Sequence, residues 1–488
     1  MWVGAASVTC EGCTRVLGRT AHLDTLPGMA DDALTSELEG RGIRRVKVGG
    51  VDVDGVLRGK YIHLPKLASA VARGFGFCDV IFGWDVGDTL YDNVALTGWT
   101  TGYPDALARV DPSTLRVLPS EPDTASFLVD FYLPNGKPHP ACPRNLLKRV
   151  VARAEAAGYR PRFGVELEFW LFRETPESLA DKHFRDLRPL SPGMFGYSWV
   201  RAGQAADLVH DVLDTMDALD VPIEGLHTET GPGVWEACIH YDDALAAADR
   251  AVIFKSVMKQ LCHRHGVSVT FMAKWNAALP GASGHLHQSL WDSTGKTNLF
   301  APSTADPDAL LSPIGRAYLG GLVSLAPELS VFYAPFANSY KRYVPGVWAP
   351  MGATWGRDNR TCAVRVIGGG SRSAAERQAT RFELRQGGAD LNPYIAIAAS
   401  LGAGLYGIER DVQPPPPSEG DATYADDEAR ALPLTLDAAI DRLRPSDAAR
   451  EVLGEAFVDH FLRTREFEAR AHRRAVSEWE LSRYFEAV

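Results

Sequence analysis

The chain of 488 residues is 45% hydrophobic and 23% charged, the composition of a large globular protein with core enough for two or more domains. Lys and Arg number 51 against 61 Asp and Glu, a net charge of −10 that argues against a nucleic-acid backbone as the principal partner. No apolar run approaches the roughly 20 residues that cross a bilayer, and MWVGAASVTCEGCTR carries no export signal, so a cytoplasmic enzyme without a membrane partner is expected.

Residues 1–34 lack a clear period and read as a flexible extension, on which Cys10 and Cys13 form a CxxC without a second pair at zinc-finger spacing. A short helical pattern from Ser36 to Gly42 leads into RRVKVGGVDVDGVLRGKYIHL, where alternation and Asp54-Gly55 predict a hairpin. A small β-rich domain is expected over 35–135, closed by the turn formers of LPNGKPHPACPRN. Pro143 then suits the first turn of a helix through Leu146, Leu147, Val150, Val151 and Ala154, stopping at Gly158.

A strand over 161–172 follows, containing GVELEFWLF. Val165, Leu167, Phe169 and Leu171 share one face, and Glu166, Glu168 and Trp170 the other. Carboxylates two residues apart on one face sit roughly 7 Å from each other, and burying both demands cations. The bland alternative is an amphipathic strand with a wet outer face.

In EGLHTETGPGVWEACIHY, Glu229 and Glu236 flank a Gly-Pro-Gly turn able to fold both carboxylates toward one point. A long helix from Asp243 to His265 ends at Gly266 and hands over to a strand, VSVTFMAK, with Val267, Val269 and Phe271 on one face. His263 and His265 close that helix and read as surface groups suited to its dipole. In GASGHLHQSLW, His285 and His287 alternate with Leu286, so both imidazoles face one way on a strand. Oxygen donors completed by an imidazole suit a hard divalent ion.

Basic residues concentrate in NSYKRYVPG, DNRTCAVRV and RSAAERQATRFELR, where alternation around Arg365 and through Phe382-Glu383-Leu384-Arg385 places guanidinium groups on strands. Carboxylates for metal and arginines for anions together point to phosphoryl transfer, and no G-x-x-x-x-G-K-[ST] loop is present. Pro414–Pro417 forms an extended connection, and 435–488 reads as helical.

From about residue 35 onward the ordered set of E-x-E strand, E…GP…E, HxHxSLW, KRxVPG, NRxxAVR, RFELR and ADLNPYIAIAA resembles the glutamine synthetase family, and within it the γ-glutamyl–amine ligases. The resemblance implies an α+β fold: a small β-grasp-like N-terminal domain, and a large catalytic domain over 140–488 with a curved antiparallel sheet. It also implies a ring of subunits, usually a dodecamer of two stacked hexamers. Two ions of Mg²⁺ or Mn²⁺ are implied per site, one held by Glu168, Glu229 and Glu236, the other by Glu166, His285 and Glu383. His287, Ser289, Arg365 and Arg381 resemble contacts to ATP, with Tyr241 stacking on adenine. Arg342, Arg360 and Arg385 resemble the groups that hold glutamate and the transferring phosphoryl group, beside the loop at Gly281. The implied reaction activates glutamate as γ-glutamyl phosphate, which a nitrogen nucleophile then attacks.

Three departures bear on the nucleophile. The glutamate that follows KRxVPG in ammonia-using relatives is Trp348 here. The aspartate of the family's FDGSS-type loop matches Phe77, with Asp79 two places off, and GASGHLH and Lys274-Trp275 replace the usual GSGxHxH and KP. An indole suits an organic amine better than hydrated ammonium, so a carbon-bearing amine is expected. The alternatives are an ammonia-dependent glutamine synthetase and a non-catalytic protein that keeps the fold.

Overall fold

The computed structural model describes residues 29–302, 309–370, 373–424 and 427–488. The Cys10/Cys13 pair lies outside the described residues. A helix, Met29–Gly40, already occupies the last residues of the stretch read as an extension.

The N-terminal sheet contains β1 (Arg45–Val51), β2 (Leu57–His63), β3 (Phe75–Cys78), β4 (Asp105–Val110), β5 (Arg116–Val117) and β6 (Thr124–Tyr132), ordered β2-β1-β6-β4-β3 with β5 on β6. β1 and β2 pair antiparallel from Arg45–His63 to Val51–Leu57, the expected hairpin, and its turn uses Gly55 at φ 85°, which an L side chain resists. Phe77 is packed in this domain's core, edge-on to Phe131 with ring centroids 5.4 Å apart.

The larger sheet contains β7 (Tyr159–Phe172), β8 (Ile223–Thr228), β9 (Val234–Asp243), β10 (Ser268–Thr270), β11 (Gly284–Asp292), β12 (Trp355–Arg357), β13 (Val364–Ile367) and β14 (Arg381–Leu384). Its order is β12-β13-β14-β11-β7-β9-β8 with β10 on β7, antiparallel except between β12 and β13. Helices Pro143–Ala156, Ala244–Arg264 and Pro393–Glu409 pack together, the first two against β7, and Pro313–Tyr333 packs on Pro393–Glu409. Only three residues of the stretch predicted from VSVTFMAK remain a strand. At its end the Met272 N–H bonds to the Thr270 hydroxyl instead of continuing the ladder, a local competition that periodicity does not register. The apolar run around Ile395–Ile408 lies inside the buried helix Pro393–Glu409. Among the described residues no helix is long and apolar enough to cross a membrane.

Each sheet has its own hydrophobic core. The two are joined by buried polar contacts. Asn392 donates its amide to the backbone carbonyls of Asp52 and Val53 in the hairpin turn, at 3.0 and 3.3 Å. Arg465 pairs with Asp54, both fully buried. Arg144, at the start of the helix Pro143–Ala156, holds Asp130 and Asp111 beside the smaller sheet and Asp249 of the helix Ala244–Arg264, at 2.8–2.9 Å.

Candidate active site

Register builds the site. Across β13, β14 and β11, Arg365, Glu383 and His287 stand opposite one another and end at Gly164 of β7. In the next row, His285, Glu166 and Cys238 lie abreast on β11, β7 and β9. A third row runs from Glu168 through Glu236 to His227 on β7, β9 and β8. Directly opposed side chains have Cβ atoms only about 5 Å apart, and residues two apart on a strand share a face. Three alternating pairs, Glu166/Glu168, Glu236/Cys238 and His285/His287, thus become one cluster on one side of the sheet.

That side is not the wet face of an amphipathic strand. Trp170, two residues beyond Glu168, is fully buried, edge-on to Trp275 with centroids 6.0 Å apart. The cluster therefore sits in a recess whose charges must be balanced locally.

The recess has two unlike halves. Around Glu166 and Glu383 the neighbours are cationic or imidazole. His285 Nδ1 is 3.2 Å from Glu166 and 3.5 Å from Glu383, and His287 Nε2 is 2.9 Å from Glu166. Arg365 donates to Glu383 at 2.9 Å and to Asp358 at 2.9 Å, and Arg385 also holds Glu383. Burial alone would raise these carboxyls. His287 and His285 instead hold Glu166 well below the usual carboxylate range, and His285, Arg385 and His287 bring Glu383 down to about 2.

Around Glu168 the balance reverses. Its carboxylate accepts from the Ser283 N–H at 2.6 Å, but burial and the nearby Glu236 and Glu229 push it up to about 8, against a weaker pull from Arg342. His227 lies 3.3 Å from Glu236 and 3.6 Å from Glu229, and its pKa is raised chiefly by the bond to Glu236. Tyr197 stacks on His227 at 4.4 Å, and burial with the charges of Glu229 and Glu236 pushes its hydroxyl up to about 12.

These residues fit a divalent metal. Ligand atoms of Glu166, Glu236 and His285 all lie within 4.8 Å of one another, as do those of Glu166, His287 and Glu383. The buried Nε2 of His285 has no hydrogen-bond partner among the described residues. Of Glu166, His285 and Glu383, expected around one ion, His285 touches both carboxylates, and Glu168, Glu229 and Glu236, expected around the other, form the acid-rich half. The geometry adds His287 to the first group and brings Glu236 up to Glu166, so the two sets adjoin.

Glu166 also lines a cavity of about 390 Å³, together with Tyr241, His287, Ser289 and Arg381. Four of the five residues expected to contact ATP thus share one recess, with Arg381 bonded to His287 Nδ1 at 3.2 Å. Arg365, the fifth, is committed to Glu383 and Asp358. Tyr241 is half-exposed and stacks on His240 at 4.8 Å. Arg342 is 2% exposed, donating to Ser283 Oγ at 3.3 Å and the Gln386 carbonyl at 2.5 Å, with its Nε unpaired. Gly281 makes room for it: a Cβ there would come within 2.4 Å of the Arg342 Cγ. Arg385 donates to the Arg360 carbonyl at 3.0 Å, while the Arg360 side chain is exposed. Trp348 is 66% exposed at φ 63° on the loop beyond Arg342.

Residues the sequence reading passed over are His227, Cys238 and Tyr197. The first two extend the period-two alternation of Glu229 and Glu236 by one step and were open to the same rule. Tyr197 arrives from a loop at φ 53° and has no such signal.

The chain belongs to the glutamine synthetase family of ATP-dependent ligases: residues 140–484 match the model of the glutamine synthetase catalytic domain. The family's enzymes join carbon to nitrogen using ATP and a divalent metal. The chain is 45% identical over 463 residues to "Type-1 glutamine synthetase 2" of Dictyostelium discoideum, covering 94% of this chain and 87% of that one. It is 39% identical over 453 residues to "Glutamate--isopropylamine ligase" of Pseudomonas sp, covering 92% and 97%. The solved structure "Apo GmaS without ligand" superposes with a TM-score of 0.78 at 30% identity, covering 93% of this chain and 99% of that one.

Proposed function

We propose that the protein forms a γ-glutamyl amide from glutamate and a carbon-bearing amine, through γ-glutamyl phosphate, in a ring-shaped assembly of identical chains. The observation that carries the amine is Trp348. The loop Val344–Ala349 holds no acidic residue, and an ammonium site needs a carboxylate both to attract the cation and to take its proton. An indole offers instead an apolar plate and a π-face for an alkyl or aryl amine. Phe77 reinforces this, being spent on the core of the small domain, while Asp79 is buried and bonded to Thr97 at 2.7 Å. The 39% identity to an isopropylamine ligase agrees.

In this reading Glu166, Glu168, Glu229, Glu236, His285 and Glu383 hold two Mg²⁺ or Mn²⁺ ions, which when bound neutralise charge on the transferring phosphoryl group. ATP enters the cavity beneath Tyr241, with its phosphates toward His287, Ser289 and Arg381. Arg342, braced by Ser283 and Gln386, presents its free Nε to an anionic group of the acid substrate. Arg385 and Arg365 fix Glu383, and Arg360 lies exposed where the glutamate carboxylate and phosphoryl oxygens gather.

A second reading, ammonia as the nucleophile, is favoured by the 45% identity to a protein named as a glutamine synthetase. Phosphate release from ATP and glutamate against a panel of amines and ammonium chloride separates the two. Higher kcat/KM for one class of organic amine is expected, and strong ammonium turnover without amine preference would overturn the proposal.

A further inference from the structure

We propose that His227, Glu236 and Cys238 form a binding site for a borderline-soft divalent cation, Zn²⁺ above all, inside the catalytic recess. Glu236 and Cys238 are two residues apart on β9, and His227 stands opposite Glu236 on β8, so the ladder itself aims all three at one point. His227 Nε2 is 3.3 Å from Glu236 Oε1, and Cys238 Sγ is 3.7 Å from the same oxygen. Ligands at zinc distances of about 2.0–2.3 Å on a tetrahedron lie roughly 3.3–3.7 Å from each other. Both edges fall in that range, so the donors need little movement to close on an ion. Ligand atoms of His227, Glu236 and Cys238 all lie within 4.8 Å of one another, and a water completes the tetrahedron.

The donor set decides the ion. Mg²⁺ takes oxygen ligands and gains little from sulfur, whereas thiolate with imidazole and one carboxylate is a zinc set. The thiol therefore lends a hard-metal centre an affinity for a softer intruder. Zn²⁺ bound there draws Glu236 out of the hard-ion arrangement, so the same cysteine makes the enzyme sensitive to zinc at fixed Mg²⁺. The inference depends on the geometry of the cluster and stands whichever nucleophile the enzyme uses.

The test uses the full chain carrying Cys10→Ser and Cys13→Ser, which removes the CxxC thiol pair, stripped of metal by chelation. Titration with Co²⁺ is expected to give a thiolate-to-cobalt charge-transfer band that saturates near one equivalent and is displaced by Zn²⁺. In Cys238→Ala the band is lost and Zn²⁺ affinity falls by more than ~100-fold, beyond the 10–100-fold that loss of a merely supporting group costs. Should that variant fail to fold, X-ray absorption of the zinc-loaded parent decides, with one sulfur expected at about 2.3 Å. A coordination shell of nitrogen and oxygen alone, a band that survives in Cys238→Ala, or unchanged zinc affinity would each overturn the assignment.

Discussion

Glu166 and Glu168 are two residues apart on one strand and point into one recess, yet their carboxyls are driven in opposite directions. Glu166 faces two imidazoles and is held ionised, whereas Glu168 faces Glu236 and Glu229 and is pushed up to about 8. Residue type and local backbone are the same. What differs is which strand lies alongside: β11 brings histidines to Glu166, and β9 brings an acid to Glu168. A titrating group's character here is a property of the ladder, and the acid-rich half is the one that most needs an added cation.

Removing the acid-rich half has the largest expected effect. Glu168→Ala should lower phosphate release by at least ~10³-fold with every amine, read in a coupled phosphate assay, since charge neutralisation by a metal is worth several kcal/mol in a transition state. Activity that survives this change would show that the two halves are not both needed.

The second effect is on stability without metal. Glu168 ionises less readily folded than unfolded, from an ordinary 4.5 to about 8, so its contribution is full below pH 4.5 and lost as pH rises toward 8. Glu383, lowered to about 2, has the opposite sign: its contribution is full above pH 4.5 and lost as pH falls toward 2. Metal-free protein followed by scanning calorimetry should therefore lose ~5 °C of Tm between pH 4.5 and 8. Glu168→Gln or excess Mg²⁺ should flatten that slope while leaving the acid limb in place.

A smaller effect is expected at the loop beyond Arg342. Trp348→Glu should move the ratio of kcat/KM for amine over ammonium toward ammonium by ~10-fold, the scale of one cation–π or apolar contact. An unchanged ratio would place the choice of nucleophile elsewhere. Smallest of all, His263→Ala, at the exposed end of the helix Ala244–Arg264, should change stability by less than ~0.5 kcal/mol and leave turnover unaltered.

The alternations that place Glu166, Glu168, His285 and His287 on one face were legible in the chain, because a strand fixes its side-chain directions with a period of two. The hairpin at Asp54-Gly55 and the helix from Pro143 were legible for similar local reasons. Which strand neighbours which was not. The pairing of His227 with Glu236 passes through an irregular register between Ile223 and Gly225, and that of Glu166 with Cys238 follows another between Phe163 and Val165. Nothing local encodes those shifts. The early end of β10 was likewise invisible, since it falls where a single threonine hydroxyl takes the next N–H. The family resemblance supplied the proposed metal ligands that periodicity alone could not divide, but pointed to neither the imidazole of His227 nor the thiol of Cys238 beside them.

The clasp between Arg465 and Asp54 has a consequence for biosynthesis. Its two partners are separated by 411 residues, so the hairpin is made long before the helix Glu455–Arg474 that covers it leaves the ribosome. Until then Asp54 waits without its guanidinium, and of the buried polar contacts only those of Asn392 and Arg144 are there to join the two sheets. A nascent chain halted short of residue 455 would carry every proposed metal ligand and still lack a finished catalytic body.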